Sequence, residues 1–286
     1  LSFRGKVIVY HEDNQCNSYD NENATWSNTP DIDFVMDDDR EWMIGQFVWT
    51  GFDYLGEPTP YDTDAWPSHS SVFGIFDLAS LPKDRFWLYR SVWNTDEHTL
   101  HIVPHWTFPD RNGKVTPVFV YTDYPEAELF VNGVSQGRQR KLTREEFLAS
   151  SDTLAMQRRY RLMWNNVTYR PGELKVVAYD ASGKAVAEEI VRTAGKPHHL
   201  VTVVDKNGIP CPADTRMVNF KVTGAGSFRA AANGDATCTE LFHNPRMPLF
   251  SGALTAIVQS SDTAGEIVFE AGAKGVKGAR LVLKSE

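Results

Sequence analysis

Cysteine is scarce: Cys16, Cys211 and Cys238 are the three thiols among 286 residues. They are too few and too scattered for a disulfide framework or a zinc ribbon. A single Cys211–Cys238 bridge stays open beside two reduced thiols, and with it the redox compartment. No apolar run approaches the roughly 18 residues that a membrane-spanning helix needs. Positive charge is in deficit, with 29 Lys and Arg against 37 Asp and Glu, a net charge of −8. That balance argues against a general nucleic-acid binder. Residues 196–286 contain neither Trp nor Tyr. What is present excludes disorder as the main state, because 42% of the chain is hydrophobic and can bury sizeable cores.

Aromatic residues mark an organisation in series. Of 34, 18 lie in residues 1–95, 11 in residues 96–195 and 5 in residues 196–286. The gradient predicts three units with those bounds. The chain opens on Leu1-Ser2-Phe3-Arg4, with neither an initiator Met nor a charged-then-apolar leader, and reads as a piece of something longer.

In the first unit, Val7-Ile8-Val9-Tyr10 reads as a strand feeding a polar loop. Thr29-Pro30-Asp31 is a helix start, with a hydroxyl N-cap, Pro at the first helical position and acids in the first turn. Ile32, Val35, Met36, Trp42 and Met43 are the expected buried stripe. Asp37-Asp38-Asp39 reads as a solvated face or helix end, not a metal site, since nothing nearby completes a ligand set. Ile44 to Thr50 is apolar on both alternations except at Gln46, which predicts a parallel strand covered on both faces. A long loop runs to about Ser71, and Pro82-Lys83-Asp84 opens a helical pattern through Trp93. Strand, helix, strand, long loop, helix is α/β order, and in a (β/α)8 barrel the loop after a strand is where the active site sits.

Gln46-Phe47-Val48-Trp49-Thr50-Gly51-Phe52-Asp53-Tyr54-Leu55-Gly56-Glu57-Pro58-Thr59-Pro60-Tyr61 closely resembles the eighth barrel strand and following loop of glycoside hydrolase family 2, its β-galactosidase-like members above all. Trp66-Pro67-Ser68, Phe73 to Leu78, Pro82 to Asp84 and Tyr89 to Trp93 continue the resemblance into the last barrel helix. It implies a retaining glycosidase, whose two carboxyl groups stand about 5 Å apart as acid/base and nucleophile. In the family both are glutamates that precede this segment, so the resemblance implies that they lie upstream of Leu1. No catalytic residue is then expected here, and the fragment alone should be inactive. Trp49 would be a stacking wall for the sugar, with ordinary barrel core as the alternative. Asp53 would be a hydroxyl ligand or a loop brace, with Tyr54 beside it as a substrate-binding residue. Asp53 and Glu57 as a catalytic pair is disfavoured, because a Gly- and Pro-rich loop does not fix their separation. The family's β-glucuronidases carry Asn-x-Lys before the Gly corresponding to Gly74. Here Ser71-Val72-Phe73 stands in its place, and a Phe cannot pair with a sugar carboxylate, so a neutral sugar is expected.

From residue 99 the pattern turns to short alternating strands. Asn132-Gly133 between Glu128–Val131 and Val134 is a type I′ hairpin signal. Pro171-Gly172-Glu173, Ser182-Gly183-Lys184 and Lys206-Asn207-Gly208 punctuate further strands, giving two β-sandwiches. His101 and His105 would share a strand face about 13 Å apart. With His98 they find no fourth ligand, so no metal is expected. Val103-Pro104-His105-Trp106 and Asn233-Gly234-Asp235 resemble the immunoglobulin-like modules that follow the barrel in bacterial family members.

The expected architecture is therefore multidomain: a fragment of a (β/α)8 barrel (1–95), then an immunoglobulin-like sandwich (96–195) and a second one (196–286). The expected partner is a carbohydrate, a β-galactoside or related neutral sugar, with no cofactor, no nucleic acid and no membrane span. The compartment and the oligomeric state stay open, although many bacterial relatives are exported to the periplasm or beyond. Three alternatives stand: β-glucuronidase, β-mannosidase, and a non-catalytic carbohydrate-binding or adhesive module. For the last, Trp106, Tyr121, Tyr124 and Trp164 would have to supply an exposed platform.

Overall fold

The computed structural model describes residues 18–24, 26–58, 66–199 and 203–285. Val7–Tyr10, Cys16 and the residues at the start of the chain lie outside them. The chain is mostly β-sheet, with four short helices among the described residues. It divides into two compact units, residues 1–51 with 82–192 and residues 52–81 with 193–286. The stretch 1–95 thus contributes to both.

The first unit contains α1 (Pro30–Asp38), α2 (Asp84–Trp93), β1 (Leu100–Val103), β2 (Val118–Thr122), β3 (Glu126–Val131), β4 (Val134–Arg140), α3 (Arg144–Ala149), α4 (Ala155–Tyr160), β5 (Arg161–Trp164), β6 (Glu173–Tyr179) and β7 (Ala185–Arg192). Two antiparallel sheets, β1-β2-β5 and β4-β3-β6-β7, share one apolar core. Ile102, Val118, Val120 and Leu162 enter it from one sheet, and Leu129, Leu174 and Val176 from the other. In β3 and β6 buried and half-buried residues alternate, the period-2 signature of a sheet with one covered face. The β3–β4 turn has positive φ at both Asn132 (49°) and Gly133 (79°), as a type I′ hairpin requires. Trp106 and Trp164 are core residues, 1% and 4% exposed, and form no platform.

α1 starts where Thr29-Pro30 predicts, but its buried face is Ile32, Phe34 and Val35. It ends at Asp38, so Trp42 lies beyond it and is 72% exposed. The expectation of a stripe running to Trp42 and Met43 is corrected by that early stop. Phe34 meets Tyr89 and Trp93 of α2 at centroid distances of 5.4 and 6.0 Å, both edge-on. The three acids at the end of α1 are not merely solvated. Asp39 accepts from Arg144 (2.8 Å) and Arg159 (3.0 Å), and Asp38 from the Tyr160 hydroxyl (2.8 Å).

A second anchor is invisible in the sequence. Arg161, at the start of β5, and Asp31 of α1 are both fully buried and paired. Arg161 Nε donates to Asp31 Oδ1 at 3.0 Å, and Nη1 donates to the Tyr19 carbonyl at 2.7 Å. Burial opposes the guanidinium charge, and the Asp31 carboxylate more than offsets it, holding Arg161 protonated above its ordinary range.

The second unit contains β8 (Pro197–His199), β9 (Val204–Asp205), β10 (Met217–Gly224), β11 (Gly226–Ala232), β12 (Arg246–Pro248), β13 (Thr255–Ser260), β14 (Gly265–Ala273) and β15 (Ala279–Ser285). Its sheets run β12-β10-β14-β15, β11-β13 and β8-β9. Val218, Phe220, Ala231, Met247 and Leu249 form the core, and Phe220 stacks on Phe228 and Phe269 at 5.4 and 5.8 Å. Cys211 and Cys238 are free thiols packed in or against this core. Asp205 organises the β9 turn: its carboxylate accepts from the backbone N–H of Gly195 (2.8 Å), Asn207 (2.8 Å) and Ile209 (3.0 Å).

Candidate functional site

Ile44–Thr50, expected as a two-faced parallel strand, forms no ladder with any described residue. A strand is defined by its neighbours' hydrogen bonds, and the alternating apolar pattern survives here without them. Ile44 and Phe47 are fully exposed, and Trp49 is 75% exposed. Gln46 ties the segment to the end of α1, donating to Asp37 at 2.8 Å. The Trp49–Thr50 peptide bond is cis. The indole of Trp49 is thus open to solvent within the first unit.

Asp53 and Tyr54 belong to the second unit, within the segment 52–81. Asp53 is buried, and its Oδ1 accepts the Gly74 N–H at 2.8 Å while its own N–H donates to the Phe76 carbonyl at 3.0 Å. Of the two roles expected for this carboxylate, the brace is the one visible. Gly74 has no room for a side chain: a Cβ there would lie 2.3 Å from Asp53 N and 2.6 Å from Phe76 O. Tyr54 is half-buried, donates its hydroxyl to the Glu57 carboxylate and meets Phe73 edge-on at 5.9 Å. Its backbone exchanges hydrogen bonds with Ser71, whose N–H reaches the Tyr54 carbonyl at 2.9 Å. Asp53 and Glu57 are thus each engaged by a neighbour within this segment.

The three histidines do not converge. His98 Nδ1 pairs with Asp123 at 2.5 Å. His101 Nε2 pairs with Asp84 at 2.7 Å and stacks on Trp87 at 4.9 Å. His105 lies over Phe108 at 4.3 Å, where burial pulls its pKa below the ordinary value. Among the described residues no group of three or more His, Cys, Asp or Glu could hold a metal ion, and no helix is long and apolar enough to cross a membrane.

Sequence reasoning also missed a cavity of about 440 Å³ in the first unit, lined by Asn94, Asp96, Glu97, His98, Asp123 and Lys141 among others. The Lys141 ammonium donates to the Thr122 carbonyl. Burial lowers its pKa to about 8 against the pull of Asp123. Nothing in the local sequence marks this lysine, because its burial comes from residues far along the chain.

Two family models match the chain: a domain of unknown function, DUF4982, over residues 113–187, and glycoside hydrolase family 2 C-terminal domain 5 over residues 198–282. A β-galactosidase of Bacteroides ovatus, BoGH2A, is 36% identical over 95% of this chain and 32% of its own length. A putative β-glucuronidase of Formosa agariphila is 34% identical over 59% of this chain and 15% of its own length. Among solved structures, a β-glycosidase from Bacteroides vulgatus superposes with a TM-score of 0.80 at 29% identity, covering 94% of this chain and 34% of that one. The chain thus spans about a third of the length of the first relatives it matches.

Proposed function

We propose, since the chain belongs to glycoside hydrolase family 2, that it is the C-terminal part of a retaining exo-β-glycosidase acting on terminal β-galactosides or a closely related neutral sugar. In this reading residues 1–95 are the end of a (β/α)8 barrel, and 96–195 and 196–286 are immunoglobulin-like sandwiches. The acid/base and nucleophile glutamates are supplied by the rest of the enzyme, and hydrolysis runs by double displacement through a glycosyl-enzyme. Trp49 stacks on the sugar ring, where an aromatic face meets the apolar C–H face of the pyranose. Tyr54 contributes its hydroxyl and Asp53 fixes the loop that carries it.

One observation carries the reading: the chain is 36% identical over 95% of its length to a β-galactosidase. A neutral sugar is supported by Phe73, which occupies the place of the uronate-reading Lys and packs against Tyr54. β-Glucuronidase stands as the second reading, favoured by the name of the Formosa agariphila relative. Assaying the full-length parent on matched aryl β-galactoside and β-glucuronide substrates separates the two. The proposal expects kcat/KM to favour the galactoside at least tenfold and the 286-residue chain alone to show no turnover. A preference for the glucuronide would overturn the neutral-sugar assignment.

A further inference from the structure

The segment that carries Asp53 and Tyr54 is held by the C-terminal domain, not merely followed by it. Three sets of contacts within the second unit make the link. Gly56 N–H donates to the His69 carbonyl (2.9 Å), and His69 N–H donates to the Ala236 carbonyl (3.0 Å), so one hydrogen-bonded rung runs from the Tyr54 loop to the loop after β11. Asp77, one residue beyond the Asp53 partner Phe76, is locked by the N–H groups of Ala79 and Leu81 at 2.8 and 2.9 Å. Its carboxylate lies directly on Gly234. A Cβ at Gly234 would be 2.1 Å from Asp77 Oδ2, and the Gly234 φ of +78° already excludes most side chains. On the far side Thr255 Oγ1 donates to the Ala79 carbonyl at 2.7 Å.

The receiving loop is itself rigid. The side-chain amide of Asn233 donates to the Pro248 carbonyl of β12 at 3.0 Å, and Asp235 Oδ1 accepts both the N–H and the hydroxyl of Thr237. Asn233 and Ala236 are buried. A satisfied buried network of this kind specifies one loop arrangement and so can transmit position.

We propose that the C-terminal domain positions the sugar-recognition loop of the enzyme, with Gly234, Asp77 and the His69–Ala236 bond as positioning residues for Tyr54 and Asp53. The proposal rests on the glycosidase reading above and adds to it a role for the C-terminal domain. Sub-ångström displacement of a recognition group is enough to weaken substrate binding, since positioning residues act by holding partners within a narrow tolerance.

The test uses Gly234→Ala, the milder Thr255→Val, and Gly208→Ala as a control. Gly208 has the same left-handed backbone (φ +82°) in the same unit but no neighbour within 4 Å of a Cβ. Hydrogen–deuterium exchange on the full-length enzyme should show at least tenfold faster exchange in peptides covering 52–58 and 66–76 for Gly234→Ala, and a smaller increase for Thr255→Val. Gly208→Ala should leave both peptides unchanged. In the full-length enzyme the two loop variants should raise KM about three- to thirtyfold with kcat within threefold of wild type, while Gly208→Ala leaves KM alone. Unchanged exchange in Gly234→Ala overturns the mechanical link, and equal KM effects in all three variants reduce it to general destabilisation. Loosened exchange with unchanged KM removes the role in sugar recognition. A wild-type parent inactive on every glycoside tested would instead sink the glycosidase reading, and is recognisable because it fails before any variant is compared.

Discussion

Asp205 shows how far a single carboxylate can organise a turn. Its three backbone hydrogen bonds outweigh the cost of burying it and hold its pKa below the ordinary carboxylate value. A depressed folded-state pKa stabilises the protein above the unfolded value near ~3.9, and that contribution is lost as pH falls through the folded value. Asp205→Asn should cost about 1–3 kcal/mol at pH 7 and flatten the acid limb of a stability–pH curve recorded by urea unfolding. Lys141 runs the other way. Its pKa of about 8 lies below its ordinary 10.5, so the unfolded chain binds more protons between those values and stability rises as pH climbs from 8 to 10.5. In Lys141→Met that rise should be absent, and a wild-type curve flat over the same range would contradict the assignment. Neither group stands out in the sequence. Lys206-Asn207-Gly208 announces the turn, but a carboxylate's choice of backbone partners is decided by tertiary placement. A family resemblance singles out Trp49, Asp53 and Tyr54 as candidates, whereas the brace that Asp53 forms with Gly74 spans 21 residues and no local pattern encodes it.

Elements were read best where the signal is local. Pro30 and Asp84 sit at the starts of α1 and α2, although the Thr29 hydroxyl makes no cap bond, and Asn132-Gly133 turns the β3–β4 hairpin, because helix starts and left-handed turns depend on nearby residues. Ile44–Thr50 was misread as a strand within a sheet for the opposite reason: its pattern is right, and pairing is a property of neighbours. Asp37-Asp38-Asp39 does sit at the end of α1, but its arginine partners were not foreseen because they lie more than 100 residues away. The same blindness hid the Asp31–Arg161 pair that joins α1 to β5. Breaking it from the acid side leaves a buried guanidinium without its counter-charge, so Asp31→Asn should cost about 3–5 kcal/mol. Thermal unfolding checks this, and a loss under 1 kcal/mol would show that Tyr19 and the surrounding carbonyls suffice for Arg161.

At the scale of the whole molecule, contacts divide the chain in a way that composition does not. The aromatic gradient suggests units in series, whereas residues 52–81 pack with 193–286 and residues 1–51 with 82–192. A loop that leaves one compact unit to be gripped by another cannot be seen in hydrophobic periodicity, which reports faces and not partners. In the proposed reading that arrangement gives the C-terminal domain a part in holding the Tyr54 loop, and Trp49 is the residue on which the sugar assignment depends. The central claim is that Trp49 meets the sugar, and the most direct measurement is steady-state kinetics of the full-length parent against its Trp49→Ala variant on an aryl β-galactoside. The melting temperature of the variant is recorded alongside, so that loss of folding is told apart from loss of sugar contact. Loss of a stacking face worth about 0.5–1.5 kcal/mol should lower kcat/KM roughly two- to tenfold. An unchanged kcat/KM in a folded Trp49→Ala enzyme would contradict the account.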